Sequence, residues 1–190
     1  EAGQKDRLIL AELMKLRQLC CHPRLVFPES EVPSSKLALL EEIVAEIVAN
    51  GHKTLIFSQF VSNLRLVREL MHSMGLECRY LDGSTPRRIR DEEIAAFQSG
   101  QGDVFLISLR AGGMGINLTA ADYVIHVDPW WNPAVEDQAA DRAHRIGQNR
   151  PVTVYRLVTE RTVEEKIVQL HAEKRDLADS LLEGSDVSHK

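Results

Sequence analysis

Short, almost unbroken apolar runs recur along this chain at intervals that leave room for a helix between them, and that alternation restricts the fold more than any other feature. Thr54-Leu55-Ile56-Phe57, Val104-Phe105-Leu106-Ile107 and Tyr123-Val124-Ile125-His126-Val127 are runs of this kind. A strand wetted on one face would alternate apolar and polar residues, so these read as strands covered on both faces. Cys78-Arg79-Tyr80-Leu81 and Val152-Thr153-Val154-Tyr155-Arg156-Leu157-Val158 add two more. Five strands joined by helical crossovers predict an α/β domain with a parallel sheet, helices on both faces and right-handed connections. Ligands of such sheets sit beyond the carboxyl ends of the strands, where Ser58, Asp82, Ser108 and Asp128 fall.

The helices declare their ends as well as their faces. Leu8, Leu10, Leu13, Leu16 and Leu19 mark a helix over residues 7 to 19, broken by Pro23 and Pro28, and residues 28 to 35 form a connector. Ser34 or Ser35 caps a helix to about Asn50 with Leu37, Leu40, Val44, Ile47 and Val48 inward and Gly51 as its stop. Residues 60 to 74 form a helix ended by Gly75, and Asp82-Gly83-Ser84-Thr85-Pro86 is a turn that opens another, ending at Gly100-Gln101-Gly102. Thr162-Val163-Glu164-Glu165 is a capping box for a final helix. The expected division is a helical segment and connector over 1–33, the α/β lobe over 34–160, a last helix over 161–183 and a frayed tail over 184–190.

The stretch from Asn132 to Gln148 carries the most chemistry. Asn132 caps, Pro133 suits the first helical position, Glu136 and Asp137 favour the positive end of the dipole, and Gly147 supplies a stop. Spacings of four and three residues put Gln138, Arg142 and Arg145 on one stripe of that helix. Two readings stand side by side. The arginines salt-bridge within the surface, for instance to Asp137 or Asp141, or their planar forks meet the spread charge of a transferring phosphoryl group.

At 190 residues and 44% hydrophobic content the chain has enough apolar surface for a sizeable core. No run approaches membrane-spanning length, and Glu1 followed by polar residues reads as the interior of a longer polypeptide rather than a leader. Three cysteines fit a reducing compartment. A net charge of −5 argues against a surface that grips nucleic acid everywhere, so any such contact is local. Basic residues cluster at Arg87, Arg88 and Arg90 and again from Arg142 to Arg150, and acids at Asp91 to Glu93 and at Glu164 and Glu165; each cluster by itself reads as a solvated helix face.

Several motifs are absent. Gly112-Gly113-Met114-Gly115 lacks the third glycine and following helix of a dinucleotide fingerprint, and no Walker loop or magnesium-holding acidic strand end occurs. The glycines serve either a tight turn or a close approach of backbone to ligand. Cys20-Cys21-His22 has no second ligand pair at zinc spacing and reads as buried structural thiol, with no metal expected. Trp130 and Trp131 read as one plug and one exposed platform.

Together these residues resemble the carboxy-terminal RecA-like lobe of Swi/Snf-type ATPases, helicase superfamily two motors that translocate on double-stranded DNA. Leu16 to Pro23 is similar to the segment preceding that lobe, Thr54 to Phe60 to motif IV, Tyr80 to Thr85 to the following turn, Ser108 to Thr119 to motif V, and Asp128 to Pro133 to the element between V and VI. Asp141-Arg142-Ala143-His144-Arg145-Ile146-Gly147-Gln148 resembles motif VI, its His-Arg-Ile-Gly-Gln ending being the Swi/Snf-specific part.

The resemblance implies a three-layer RecA-like sandwich in which the last helix is a brace. It implies that Arg142 and Arg145 are arginine fingers, with Gln138 orienting the site, for ATP and Mg2+ held mainly by a first RecA-like lobe of the same polypeptide. Gly113, Gly115 and Asn117 match positions near the nucleotide, although many relatives carry aspartate in place of Asn117. Ser58, Gln59, Ser108 and Arg110 match positions near the DNA backbone, and Trp130 and Trp131 those linking DNA to the ATP site. The implied partners are double-stranded DNA, the first lobe and a DNA-bound protein complex, with no membrane. The lack of long basic insertions or a nuclear-import run favours a bacterial, nucleoid-associated location over a nuclear one. The competing readings are a non-catalytic RecA-like interaction module and the lobe of an RNA helicase.

Overall fold

The computed structural model describes residues 2–112, 116–141, 143 and 150–186. Five strands, β1 (Thr54–Ser58), β2 (Cys78–Leu81), β3 (Val104–Ser108), β4 (Tyr123–His126) and β5 (Thr153–Arg156), form one sheet in the order β2-β3-β1-β4-β5. Every neighbouring pair is parallel, with Ser58 level with Ser108 and Phe57 level with both Ile107 and His126. The parallel α/β sheet expected from the apolar runs is therefore present.

Among the described residues seven α-helices accompany it: α1 (Ala2–Cys21), α2 (Ser35–Ala49), α3 (Val61–Ser73), α4 (Arg87–Gln98), α5 (Leu109–Gly112), α6 (Pro133–Ala140) and α7 (Val163–Asp186). Successive strand residues point to opposite faces, and the core divides accordingly. Leu55, Phe57, Phe105, Ile107 and Val124 pack with Phe97 of α4, Ala111 of α5 and Ala139 of α6. Ile56, Val104, Leu106 and Ile125 pack with Leu40, Val44 and Ile47 of α2 and Leu64, Val67 and Met71 of α3. The result is a three-layer sandwich. β1 and β3 are buried at every residue because they lie inside the sheet under both layers, whereas β5 is an edge strand with Thr153, Tyr155 and Arg156 exposed.

Local chemistry sets the boundaries. Ser34 is the α2 cap, its hydroxyl accepting from Leu37 N at 3.2 Å, and the glycine after α2, Gly51, takes φ +75°, where a side chain would be strained. Asn132 caps α6 by accepting from Ala134 N, with Pro133 in the first turn, as its sequence suggests. The described α6 then ends at Ala140, with Asp141 as its C-terminal cap, short of the expected stop at Gly147. The helix at the N-terminal side is longer than its leucine pattern, yet Leu8, Leu10 and Leu16 are exposed, whereas Arg17 and Cys21 are buried. α7 runs to Asp186, past the expected end of the brace.

Glu164 corrects the reading of residues 164 and 165 as a solvated acidic pair. It is buried against Lys36, and one of its oxygens accepts from Thr159 N at 2.9 Å, while Thr162 Oγ1 accepts from Glu164 N at 3.2 Å. Among the described residues no helix is long and apolar enough to cross a membrane.

Candidate nucleic-acid interface

Because all strands run the same way, the residues that follow β1, β2, β3 and β4 share one edge of the sheet. Gln59, Val61, Arg65, Asp82, Gly83, Ser84, Ser108 and Arg110 line a cleft of about 330 Å3 along that edge. The cleft brings together Gln59, Ser108 and Arg110, three of the residues expected at DNA. It adds Arg65, on the first turns of α3, which has no sequence motif of its own. Arg65 and Arg110 are both exposed, so the cleft carries two guanidiniums facing solvent.

The floor of the cleft is a buried polar network. Ser58 is fully buried and donates its hydroxyl to Asp128 Oδ1, and Gln59 N donates to Asp128 Oδ2 at 3.1 Å. Asn63 Nδ2 and Phe60 N both donate to Ser58 Oγ, at 3.3 and 3.2 Å. Ser58 therefore supports Gln59 from beneath. Burial raises the Asp128 pKa, and the Ser58 hydrogen bond opposes that shift. Ser108 is also buried, its hydroxyl accepting from Ala111 N at 3.3 Å and so closing the turn into α5 that carries Arg110.

Asp82 shapes the opposite wall. Its Oδ1 accepts from both the amide and the hydroxyl of Ser84, at 2.8 and 2.6 Å, and Tyr80 OH donates to Oδ2 at 2.9 Å. The Ser84 hydroxyl is the largest cause of a lowered Asp82 pKa, and burial together with the Asp82 carboxylate pushes Tyr80 up to about 12. The carboxylate is thus committed to the turn and kept ionised.

Beside the cleft, Asp128 begins the loop that carries the two tryptophans. Trp130 packs against the core cluster that contains Phe57 and Val124, while Trp131 is 37% exposed. The loop thus holds one ring against the core and leaves the other exposed. Trp130 N donates to Glu136 Oε1 at 2.8 Å, and Glu136, fully buried on α6, receives Arg156 Nε on its other oxygen at 2.7 Å. Neither Glu136 nor Arg156 was legible as a site residue, since their partners lie on different elements.

Gln138, on α6, and Asn117 are both exposed. Gly113, Gly115, Arg142 and Arg145 lie outside the described residues. Among the described residues no group of three His, Cys, Asp or Glu side chains gathers into a metal site. Cys21 is buried, and His22 accepts from Arg24 N through Nδ1 at 3.0 Å, capping a short turn. A roomier cavity of about 800 Å3 lies elsewhere, between α1 and the start of α7, lined by Leu16, Leu19, Cys20, Thr159 and Val163 among others.

Comparison with known proteins agrees with the fold. The model of the helicase conserved C-terminal domain matches residues 35–147. The putative ATP-dependent helicase/translocase YwqA of Bacillus subtilis is 40% identical over 189 residues, 96% of this chain and 20% of its own length. Human SWI/SNF-related matrix-associated actin-dependent regulator of chromatin subfamily A member 1 is 42% identical over 182 residues, 88% of this chain and 18% of its own. The chain spans about a fifth of the length of these relatives. Among solved structures, the Sulfolobus solfataricus SWI2/SNF2 ATPase C-terminal domain superposes with TM-score 0.75 at 36% identity, covering 90% of this chain and 71% of that one. The SWI2/SNF2 ATPase core from the same organism in complex with double-stranded DNA gives TM-score 0.79 at 39% identity, covering 92% and 37%. The chain therefore belongs to the helicase conserved C-terminal domain family, as the C-terminal lobe of a SWI2/SNF2-type ATPase.

Proposed function

We propose that this lobe is the second half of an ATP-dependent motor on double-stranded DNA. The observation that carries the reading is the cleft at the carboxyl edge, where Gln59, Arg65, Ser108 and Arg110 meet, together with the exposed Trp131 on the loop that follows β4. Two arginines, polar backbone at strand ends and one aromatic face suit a sugar-phosphate backbone, with little to read base identity. Such a narrow, aligned contact is compatible with a net charge of −5. A relative solved with duplex DNA supports that choice of ligand.

ATP is assigned to a first RecA-like lobe elsewhere in the polypeptide, and Mg2+ with it, since this chain offers neither a phosphate-cradling loop nor, among its described residues, a cluster of metal ligands. In this reading Arg142 and Arg145 reach across the closed cleft to the γ-phosphate, Gln138 orients that edge, and Gly113, Gly115 and Asn117 border the nucleotide. Closing and opening the two lobes steps the motor along DNA. Ser58, fully buried, supports the DNA-facing Gln59, and Trp130 and Trp131 link the two ligands. The complete motor acts on a DNA-bound protein complex, in the nucleoid of a bacterium or in the nucleus of a eukaryote.

The test uses the complete polypeptide. Arg145→Ala is expected to lower DNA-stimulated ATP hydrolysis by about 10³ or more while nucleotide binding persists. Equal loss of binding and turnover would make the arginine structural. Residues 1–190 alone are expected not to hydrolyse ATP, and stimulation by duplex RNA in preference to duplex DNA would favour the RNA-helicase reading.

A further inference from the structure

The loop that carries the tryptophans is held from behind by two helices outside the sheet. Arg17 of α1 is 1% exposed, an unusual place for a permanent cation within a leucine-rich helix. Its guanidinium donates from Nη2 to Pro129 O at 2.8 Å and sits 4.7 Å from the centroid of the Trp131 ring and 5.7 Å from that of Phe60. His171 of α7, 3% exposed, donates through Nε2 to the next carbonyl, Trp130 O. With Trp130 N held by Glu136, three consecutive polar groups of the loop are fixed by side chains from α1, α6 and α7.

A packing role alone would be served better by leucine, because burying a guanidinium is costly unless its donors are used. Burial lowers the Arg17 pKa, Asp128 opposes that shift, and the group stays charged. What arginine adds is a planar fork that can donate to a carbonyl at its edge and stack on an indole with its face. Lysine can supply the charge and a donor but not the plane.

We propose that Arg17 and His171 are positioning residues that lock the Asp128–Trp131 loop and set the Trp131 ring in the orientation that meets DNA. The proposal rests on the reading of Trp131 as a DNA contact. Through these two side chains α1 and α7 act on the DNA-facing loop without touching DNA, so the flanking helices become part of the machinery of the sheet edge. Thr159 Oγ1 donates to Cys20 O at 3.1 Å and Ser34 Oγ to Cys21 O at 2.7 Å, which anchors the end of α1 that bears Arg17.

The experiment compares Arg17→Lys, His171→Phe, Trp131→Ala and the Arg17→Lys/Trp131→Ala pair in the complete polypeptide. It measures the duplex DNA concentration giving half-maximal ATPase, kcat at saturating DNA, and amide hydrogen exchange over residues 130–132. Arg17→Lys is expected to raise the half-saturating DNA concentration about 3- to 10-fold with kcat changed less than about 2-fold, and the pair to be no worse than Trp131→Ala alone. His171→Phe, which keeps the ring and removes the donor, and Arg17→Lys should both speed exchange over the loop while the strands keep their protection. Additive effects in the pair, or a loss of kcat with half-saturation unchanged, would overturn the proposal. Should Trp131→Ala leave half-saturation unaltered, the DNA contact itself is wrong, and the lock then stands or falls on loop exchange, unchanged exchange in both variants ending it.

Discussion

Lys36 and Glu164 lie 128 residues apart in the sequence and meet in the structure with side chains 3% and 1% exposed. The ammonium reaches both carboxylate oxygens, at 2.7 and 2.6 Å, and ties the start of α2 to the start of α7. Removing one partner leaves the other as a buried, unpaired charge, so Lys36→Ala or Glu164→Ala should destabilise the protein by about 3–5 kcal/mol. Joint replacement by Met and Leu should recover most of that loss. Denaturant midpoints of the two single variants and the pair decide it, and a pair that is no better than the singles would refute the account.

His126 should make stability fall on mild acidification. It is fully buried at the end of β4, its ring stacked on Phe57 at 5.6 Å, with no partner among the described residues for either ring nitrogen, and burial lowers its pKa to about 4. Between pH 6.5 and about 4 the unfolded chain binds the proton and the folded chain does not, so stability present above pH 6.5 is lost as pH drops through this window. The full loss is roughly 3 kcal/mol, from a separation of two to three pH units. Asp128, raised by burial, works in the opposite direction, favouring the fold as it takes up a proton. Melting temperatures at pH 7.5 and 5 for the parent and for His126→Phe separate the two, because the variant should lose the decline over this range.

The strands were readable because β1 and β3 are buried on both faces, which turns a tertiary fact into a local run of apolar residues. Capping was readable for the same reason: Ser34 and Asn132 act within three residues of themselves. Arg17, Glu136, Lys36 and Glu164 were not, since what makes each of them matter is a partner on another element, and no periodicity encodes that. A charge within an amphipathic helix looks solvated until its partner is known. Motif residues at the sheet edge were placed by resemblance, and the cleft then added Arg65, which sits one turn into α3 with nothing in its surroundings along the chain to mark it.

Glu136 and Arg156 should respond asymmetrically to substitution. Glu136 is fully buried and Arg156 is one-third exposed in its side chain, so water can solvate the arginine left behind by Glu136→Gln but not the carboxylate left behind by Arg156→Ala. The glutamine also keeps an acceptor for Trp130 N. Arg156→Ala is expected to cost about 2–3 kcal/mol and Glu136→Gln less than about 1.5 kcal/mol. Adding Glu136→Gln to Arg156→Ala should restore stability, and a further loss in the double variant would show that the pair does not act as described.

Arg65 and Arg110 should each contribute one phosphate contact, and salt dependence counts such contacts directly. Each neutralised phosphate of duplex DNA releases condensed counterion, giving a slope of log K against log salt of about −0.9 per contact. Both side chains are exposed at the cleft. Arg65→Ala and Arg110→Ala in the complete polypeptide should therefore weaken duplex binding and reduce that slope by about 1 each, and by about 2 together. The weakening should be the same for duplexes of unrelated sequence, because phosphates carry no base identity. Lysine at either position should preserve the slope, since counterion release needs charge, while losing affinity where the contact is bidentate. An alanine variant with an unchanged slope would remove that arginine from the interface, and a loss that depends on duplex sequence would mean the side chain reads a groove instead of the backbone.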